Sequence, residues 1–351
     1  MGHPRNTKHR AVGDTVQGYS MTWRDRPVLV TGAGGFIGSH LTQRLLELDA
    51  AVTALIHYDS RADRGNLEFL PQDLLSRLKV VSGDICDPFF AQEVVKGQDA
   101  VFHLAALIPI PYSYVAPASY VMTNVQGTLN ICEASRRAKV TRLVHTSTSE
   151  VYGTALHPKI NEEHPLQAQS PYAASKIGAD KIAESYYRSM DLPVATIRPF
   201  NTFGPRQSAR AVIPTIVSQL LSGRLPQLTL GSVEPIRDFL YVGDTVEGFL
   251  SVARSDACIG KVTNVGTGVA VTIGRTAELA MEVVGRRVQI VTEDARKRPG
   301  NSEVMALICD ASAAQERCGW APTVGLEEGL RRVAAFVRDN PNRFRPQEYT
   351  R

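Results

Sequence analysis

The chain has 351 residues, 43% hydrophobic and 21% charged, enough for one large α/β body or two smaller ones. Its net charge is +4, and Arg5, Lys8, Arg10, Arg24 and Arg26 outweigh Asp14 and Asp25 in the first 26 residues, so the basic excess is a tail rather than a face and argues against a nucleic-acid partner. No apolar run approaches ~20 residues, which argues against a membrane span.

Residues 1–26 are polar, lack the apolar core of a signal peptide and read as a disordered tail, with Met21 as an alternative start. The body then alternates strand and helix. Pro27–Thr31 is a short apolar strand, followed by a Gly-rich turn and an amphipathic helix carrying Leu41, Leu45, Leu46 and Leu48. Val52–Ile56, Leu78–Ser82 and Ala100–Leu104 read as further strands, with a helix expected around Ser119–Ala138. Leu143–Thr146, a helix from Pro171 and a strand Val194–Arg198 follow. Apolar strands separated by helices predict a parallel sheet covered on both faces, a Rossmann-like doubly wound α/β fold. The pattern loosens after Gly204, where Pro and Gly become frequent. The expected division is a dinucleotide-binding domain over 27–200 and a smaller substrate-binding region over 201–340. The latter is interleaved with returning Rossmann elements and ends in a polar tail, 341–351. The five cysteines are scattered and form no CxxC pair, which predicts free thiols in a reducing cytoplasm.

Thr31-Gly-Ala-Gly-Gly-Phe-Ile-Gly38 lies between the first strand and the first helix, with glycines at 32, 35 and 38. Such a turn lets a pyrophosphate approach backbone amides at a helix N-terminus. The end of the second strand reads Ile56-His57-Tyr58-Asp59, where an early acidic residue would bond a ribose 2′-hydroxyl. Asp59 comes late, and His57, Arg61 and Arg64 stand nearby, which favours NADP over NAD; Asp59 as a shifted ribose ligand stays open. Asp84 is a candidate acceptor for an adenine amino group, and Ala105 and Ala106 are small enough for a cofactor to pass close. His103 reads as a packing residue.

Ser170-Pro-Tyr-Ala-Ala-Ser-Lys176 starts a helix, with Ser170 as N-cap and Pro171 at the first helical position. Tyr172 and Lys176 are one turn apart on one face. A lysine beside a tyrosine lowers the phenol's pKa from its ordinary ~10 and makes it a usable base. Some twenty residues earlier stands Ser147-Thr-Ser-Glu-Val-Tyr-Gly153, a hydroxyl cluster with one carboxylate, Glu150.

In this order, GAGGFIG, HLAA, STSEVYG, YAASK and RPFNTFGP resemble the extended short-chain dehydrogenase/reductase family, whose members act on nucleotide-diphosphate sugars. The resemblance spans residues 27 to about 335. It implies that Thr148 bonds the sugar hydroxyl being oxidised and that Tyr172 and Lys176 are the base and its modulator. On the cofactor side it implies Gly32, Gly35, Phe36, Ile37, Gly38, His57, Asp59, Arg61, Asp84, Ile85, Leu104, Ala105 and Ala106. Asn124, Thr146, Tyr172, Lys176 and Pro199 complete that set. On the substrate side it implies Asn201, Arg237 and Arg298, with Arg206 and Arg210 as further cations; two phosphates call for fork-shaped donors. It also implies a homodimer through a four-helix bundle, and small residues on the Tyr172 helix (Ala173, Ala174, Gly178, Ala179, Ala183) suit either that interface or close packing on its own sheet.

Within the family, Glu150 points to a 4,6-dehydratase. Oxidation at C4 acidifies the C5 proton, a carboxylate removes it, and the 6-hydroxyl leaves as water. The dTDP-glucose dehydratases carry Asp-Glu where this chain has Ser149-Glu150, whereas GDP-mannose 4,6-dehydratases resemble it with Thr-Ser-Glu and use the glutamate as base and acid. The stretches AALIPIPY (Ala105–Tyr112) and QSARAVIP (Gln207–Pro214) look most like GDP-N-acetylglucosamine 4,6-dehydratases of legionaminic-acid type, so a GDP- or UDP-linked hexose or N-acetylhexosamine is expected. A C4 epimerase, a UDP-glucuronate decarboxylase and a non-catalytic NAD(P)-binding regulator are the alternatives; the last fits poorly with Thr148, Glu150, Tyr172 and Lys176 all present.

Overall fold

The computed structural model describes residues 21–296 and 302–347. Strands β1 (Pro27–Thr31), β2 (Ala51–His57), β3 (Lys79–Gly83), β4 (Ala100–His103), β5 (Arg142–Thr146) and β6 (Val194–Pro199) form as the apolar runs predict. Helix α1 (Phe36–Glu47) follows β1, α2 (Gly127–Ala138) follows β4 and α3 (Pro171–Met190) follows β5. The expected helix over 119–138 is entered through a π-helical segment, Val121–Gln126, rather than as one regular helix.

Beyond β6 the chain makes four short strands, β7 (Asn201–Phe203), β8 (Gln227–Leu230), β9 (Ile236–Arg237) and β10 (Phe239–Tyr241). It then returns as helix α4 (Val242–Arg254) and strand β11 (Val262–Val265). The main sheet is parallel and ordered β11-β6-β5-β4-β1-β2-β3. Strand order therefore reverses between β1 and β4, where a crevice opens beyond the strand ends, the usual ligand position in this architecture. Register brings Thr31 level with His103, and His103 level with His145.

Both faces of the sheet are covered. One carries Val28, Val30, Leu41, Leu45, Phe102, Phe249 and Leu250; the other carries Leu29, Leu55, Val101, Ile131, Leu143 and Val194. The alternation of β1 side chains between these two cores is the period of two that a strand imposes. A separate core around Phe203, Ile213, Ile216, Leu228, Ile273 and Leu330 holds the later region together. Residues 21–26 belong to the body, not to the tail: Trp23 is buried with its ring 5.6 Å from that of Phe102. The five cysteines are free thiols. Among the described residues no helix is long and apolar enough to cross a membrane.

Candidate active site

A cavity of about 590 Å³ opens over the strand ends. Its floor begins at the glycine turn. Gly32 has φ +70°, and an added Cβ would stand 2.9 Å from the Ala105 nitrogen; at Gly38 it would stand 2.2 Å from the Gly32 oxygen. Only residues without a side chain let β1, β4 and α1 approach this closely. Helix α1 starts at Gly35 with no side-chain cap, so its first amides face the cavity end without a protein acceptor from a capping side chain. This cradle fits the pyrophosphate of a dinucleotide, and Gly32, Gly35, Phe36, Ile37 and Gly38 all line it.

His57 and Asp59 line the cavity at the end of β2, but Arg61 does not. Arg61 is largely exposed and folds back on Asp59, whose carboxylate accepts the Arg61 amide at 2.7 Å and its guanidinium at 3.2 Å. That hydrogen bonding by Arg61 holds the Asp59 carboxyl below the usual carboxylate range. Arg64, which the sequence places only nearby, lines the cavity with Asp63 and Gly65. Gly65 has φ +62°, and an added Cβ there would meet the Gly34 oxygen at 2.6 Å, so the 63–65 turn is folded against the glycine turn. No spacing rule in the sequence marks that long-range contact.

Asp84 and Ile85 lie away from this cavity. The Asp84 carboxylate accepts the Cys86 amide at 2.9 Å, an acid closing its own turn, and Ile85 is buried in the core. Leu104, Ala105 and Ala106 do line the cavity, as do Thr146 and Pro199. The Thr31 hydroxyl holds the β4 end by accepting the Leu104 and Ala105 amides at 3.1 and 3.0 Å. Asn124 is buried scaffold: its side chain bonds both the amide and the carbonyl of Leu107, and donates to Ser175 Oγ. His103 is satisfied between Thr31 and Thr128.

The chemistry-bearing residues meet at the end of β5. Thr148 caps a 3₁₀ turn, Ser149–Tyr152, and its hydroxyl accepts the Glu150 amide at 3.3 Å. Gly153, with φ +64°, ends the turn. Ser170 caps α3 by accepting the Ala173 amide at 3.1 Å, and Tyr172 follows in the first turn. Thr148, Ser149, Glu150 and Tyr172 line one wall of the cavity. The Thr148 hydroxyl, on the same wall, favours the ionised form of the Tyr172 phenol.

Lys176 stands behind that wall, buried, with Nζ donating to the Thr146 carbonyl at 2.6 Å. The expectation of a phenol lowered directly by its lysine neighbour is corrected here. Burial pushes the Tyr172 phenol up, the Thr148 hydrogen bond pulls it down, and the Glu150 charge pushes it up again. Burial also pulls Lys176 down to about 8, against the opposing charge of Asp180. Tyr172 therefore needs additional positive charge beside it to ionise near neutral pH.

A second cavity, of about 350 Å³, adjoins the first; Asn201, Thr202 and Gln207 line both. Arg210 and Arg237 line the second, together with Arg296 and Glu303, which sequence reasoning missed. Arg237 is buried, donating to the Val304 carbonyl at 2.7 Å and to Glu303 at 3.1 Å. Arg206 lines neither: with φ +67° it turns to α1 and donates to Gln43 Oε1 at 2.6 Å. Arg298 lies outside the described residues.

A sequence profile of the family described as GDP-mannose 4,6 dehydratase matches residues 29–333. A dTDP-glucose 4,6-dehydratase of an Actinoplanes species is 35% identical over 321 residues, covering 89% of this chain and 98% of the relative. The solved dTDP-glucose 4,6-dehydratase of Streptomyces venezuelae, with NAD bound, superposes with a TM-score of 0.82 at 31% identity, over 92% of this chain and 99% of that one. A UDP-N-acetylglucosamine 4-epimerase of Methanobrevibacter ruminantium reaches a TM-score of 0.81 at 31% identity, over 90% and 99%. The chain belongs to the GDP-mannose 4,6-dehydratase family of the extended short-chain dehydrogenase/reductases.

Proposed function

We propose that the protein is a nucleotide-diphosphate-sugar 4,6-dehydratase working through Thr148, Glu150, Tyr172 and Lys176. The observation that carries this reading is a carboxylate, Glu150, on the same cavity wall as Tyr172 and Thr148. An epimerase needs no base at C5; a dehydratase does. NAD(P)+, held at the glycine turn by Gly32, Gly35 and Gly38, would supply reversible hydride acceptance between C4 and C6. Tyr172 takes the proton of the sugar's 4-hydroxyl while Thr148 holds that oxygen. The 4-ketone acidifies C5, Glu150 removes the C5 proton and delivers it to the departing 6-hydroxyl, and water leaves; once hydride adds at C6, C5 takes up one solvent proton, balancing the proton Tyr172 received. Ser149 is buried on the wall and brings no second carboxyl, so Glu150 serves as base and then as acid.

For the cofactor, the uncapped α1 start and the glycine turn support NAD(P), held by Gly32, Gly35 and Gly38. NADP is preferred in this reading, because Arg64 and His57 line the ribose end while Asp59 is engaged by Arg61. The substrate is a GDP- or UDP-linked hexose or N-acetylhexosamine, its diphosphate met by Arg210 and Arg237 in the second cavity; the legionaminic-acid type of substrate rests on AALIPIPY and QSARAVIP alone. A homodimer is supported by the exposed apolar side chains of Val121 and Met122. Ala173, Ala179 and Ala183 on α3 are buried within the chain and Gly178 packs on Val125, so the small-residue stripe serves internal packing first.

The test is mass spectrometry of products from a set of nucleotide sugars. Loss of one water supports dehydration. An isomer of unchanged mass, or loss of carbon dioxide, overturns it.

A further inference from the structure

Behind the cavity wall lies a buried charge network that the reaction as described does not use. Asp180 follows Lys176 by one turn, as Lys176 follows Tyr172, so the three share one face of α3. Each makes a link to the end of β5 or the turn after it. Tyr172 shares the cavity wall with Thr148, Lys176 Nζ donates to the Thr146 carbonyl at 2.6 Å, and Asp180 receives His145 Nε2 at 2.9 Å and Ser147 Oγ at 2.6 Å. The Asp180 carboxylate also accepts Arg198 Nη2 at 2.8 Å. Arg198 in turn donates through Nε to Ser147 Oγ at 3.1 Å and through Nη1 to the Tyr152 hydroxyl at 2.9 Å. Asp180 and Arg198 are 5% and 3% exposed. Ser147 and Tyr152 bracket the segment that carries Thr148 and Glu150.

We propose that Asp180 is a positioning residue, which with Arg198 fixes the Thr148–Glu150 segment against Tyr172 and keeps the Lys176 side chain charged. The proposal rests on the dehydratase reading for its kinetic arm only. A buried ion pair is weak evidence for stability in itself, and its best-attested use is to specify one arrangement. Here both partners are spent on the two ends of the catalytic segment and on the strand beside it. Misplacing reacting groups by an ångström costs on the order of 100-fold in rate, so such a clamp acts on turnover more than on binding. The charge effect points the same way: burial pulls Lys176 down, and Asp180 opposes it. The other titratable groups that interact with Lys176 are His145 on β5 and His103 on β4, with Tyr172 one turn before it on α3. Both histidines are held low by burial, which leaves Asp180 as the counter-charge.

The test compares wild type, Asp180→Asn and Ser147→Ala in the full chain. Competitive acylation with acetic anhydride, read by peptide mass spectrometry, follows the titration of Lys176 without any substrate. In Asp180→Asn its midpoint is expected to move to lower pH by roughly one pH unit. An unmoved midpoint overturns the charge role whatever reaction the protein catalyses. Ser147→Ala keeps the Asp180–Arg198 pair and is expected to fold. It should lower kcat by about 10-fold with KM within about 2-fold of wild type. An unchanged kcat overturns the clamp, and equal loss in kcat and thermal stability assigns Ser147 to the fold alone and overturns it too. Failure of the dehydratase reading shows separately, as a wild-type product without loss of water.

Discussion

The Lys176 ammonium donates to the Thr146 carbonyl at 2.6 Å, two residues before Thr148, which shares the cavity wall with Tyr172. The lysine thus holds the strand end that leads into Thr148 and Glu150. Lys176→Met removes that hold. A reduction of kcat by about 10³-fold is expected, and Tyr172→Phe should match or exceed it, since a positioned general base contributes about 10²–10⁴-fold. Steady-state kinetics on the accepted sugar nucleotide checks this. A Lys176→Met enzyme with near-normal kcat contradicts the assignment.

Glu150→Gln separates the oxidation from the elimination. The amide cannot take the C5 proton, while Tyr172 and Thr148 are untouched. Solvent deuterium should cease to enter C5, with hydride still leaving C4, visible as reduced nicotinamide absorbance in a single turnover. Exchange at the wild-type rate would show that another group is the base.

Gly38→Ala places a Cβ 2.2 Å from the Gly32 carbonyl oxygen, and neither backbone can yield without opening the β1–α1 turn. Cofactor affinity is expected to fall by more than about 100-fold, measured by fluorescence titration with NAD(P)H, a loss of the order that a removed phosphate cradle implies.

The proposed preference for NADP rests on Arg64 against Asp59 at the end of β2. Arg64→Ala should reduce the NADP-to-NAD preference by about 10-fold, the size of one charge-assisted hydrogen bond. Arg61→Ala should change it far less, because Arg61 faces Asp59 and solvent. A preference unchanged by Arg64→Ala would return the ribose site to Asp59.

His40 on α1 is bonded to the Pro205 carbonyl, and burial, with the Arg206 charge adding, lowers its pKa from 6.5 to about 4. Between those values the unfolded chain binds the proton and the folded chain does not, so stability falls as pH drops through that window. His103 and His145, also held low by burial, act in the same direction. Thermal melting should therefore decline from pH 6.5 toward pH 4, and His40→Gln should lessen the slope by on the order of 2 kcal/mol across the window.

The parallel sheet was legible because its strands are apolar on both faces, and Val28–Thr31, Val101–His103 and Leu143–Thr146 appear where their runs lie. The glycine turn and the Tyr172–Lys176 pair were legible because local geometry, a close approach and a helical turn, dictates them. What escaped the sequence depends on chain-distant neighbours. Arg64 reaches the cavity only because Gly65 seats on Gly34. Arg206 is drawn away by Gln43, and Asp84 closes its own turn, which a spacing rule cannot distinguish from a ligand. Asp180 carries no motif at all; its importance lies in partners at 145, 147 and 198.

Strand β11 closes the sheet beside β6, yet some sixty residues, including strands β7–β10 and helix α4, are synthesised between them. A fragment ending near residue 200 would leave β6, buried along its whole length, as an open edge with unpaired amides. The two halves cannot be exchanged like cassettes: recombining one relative's sugar-binding half with another's cofactor half means cutting the chain at several crossings and rebuilding the seam at each. Specificity in such a scaffold changes by substitution within pockets rather than by shuffling of parts.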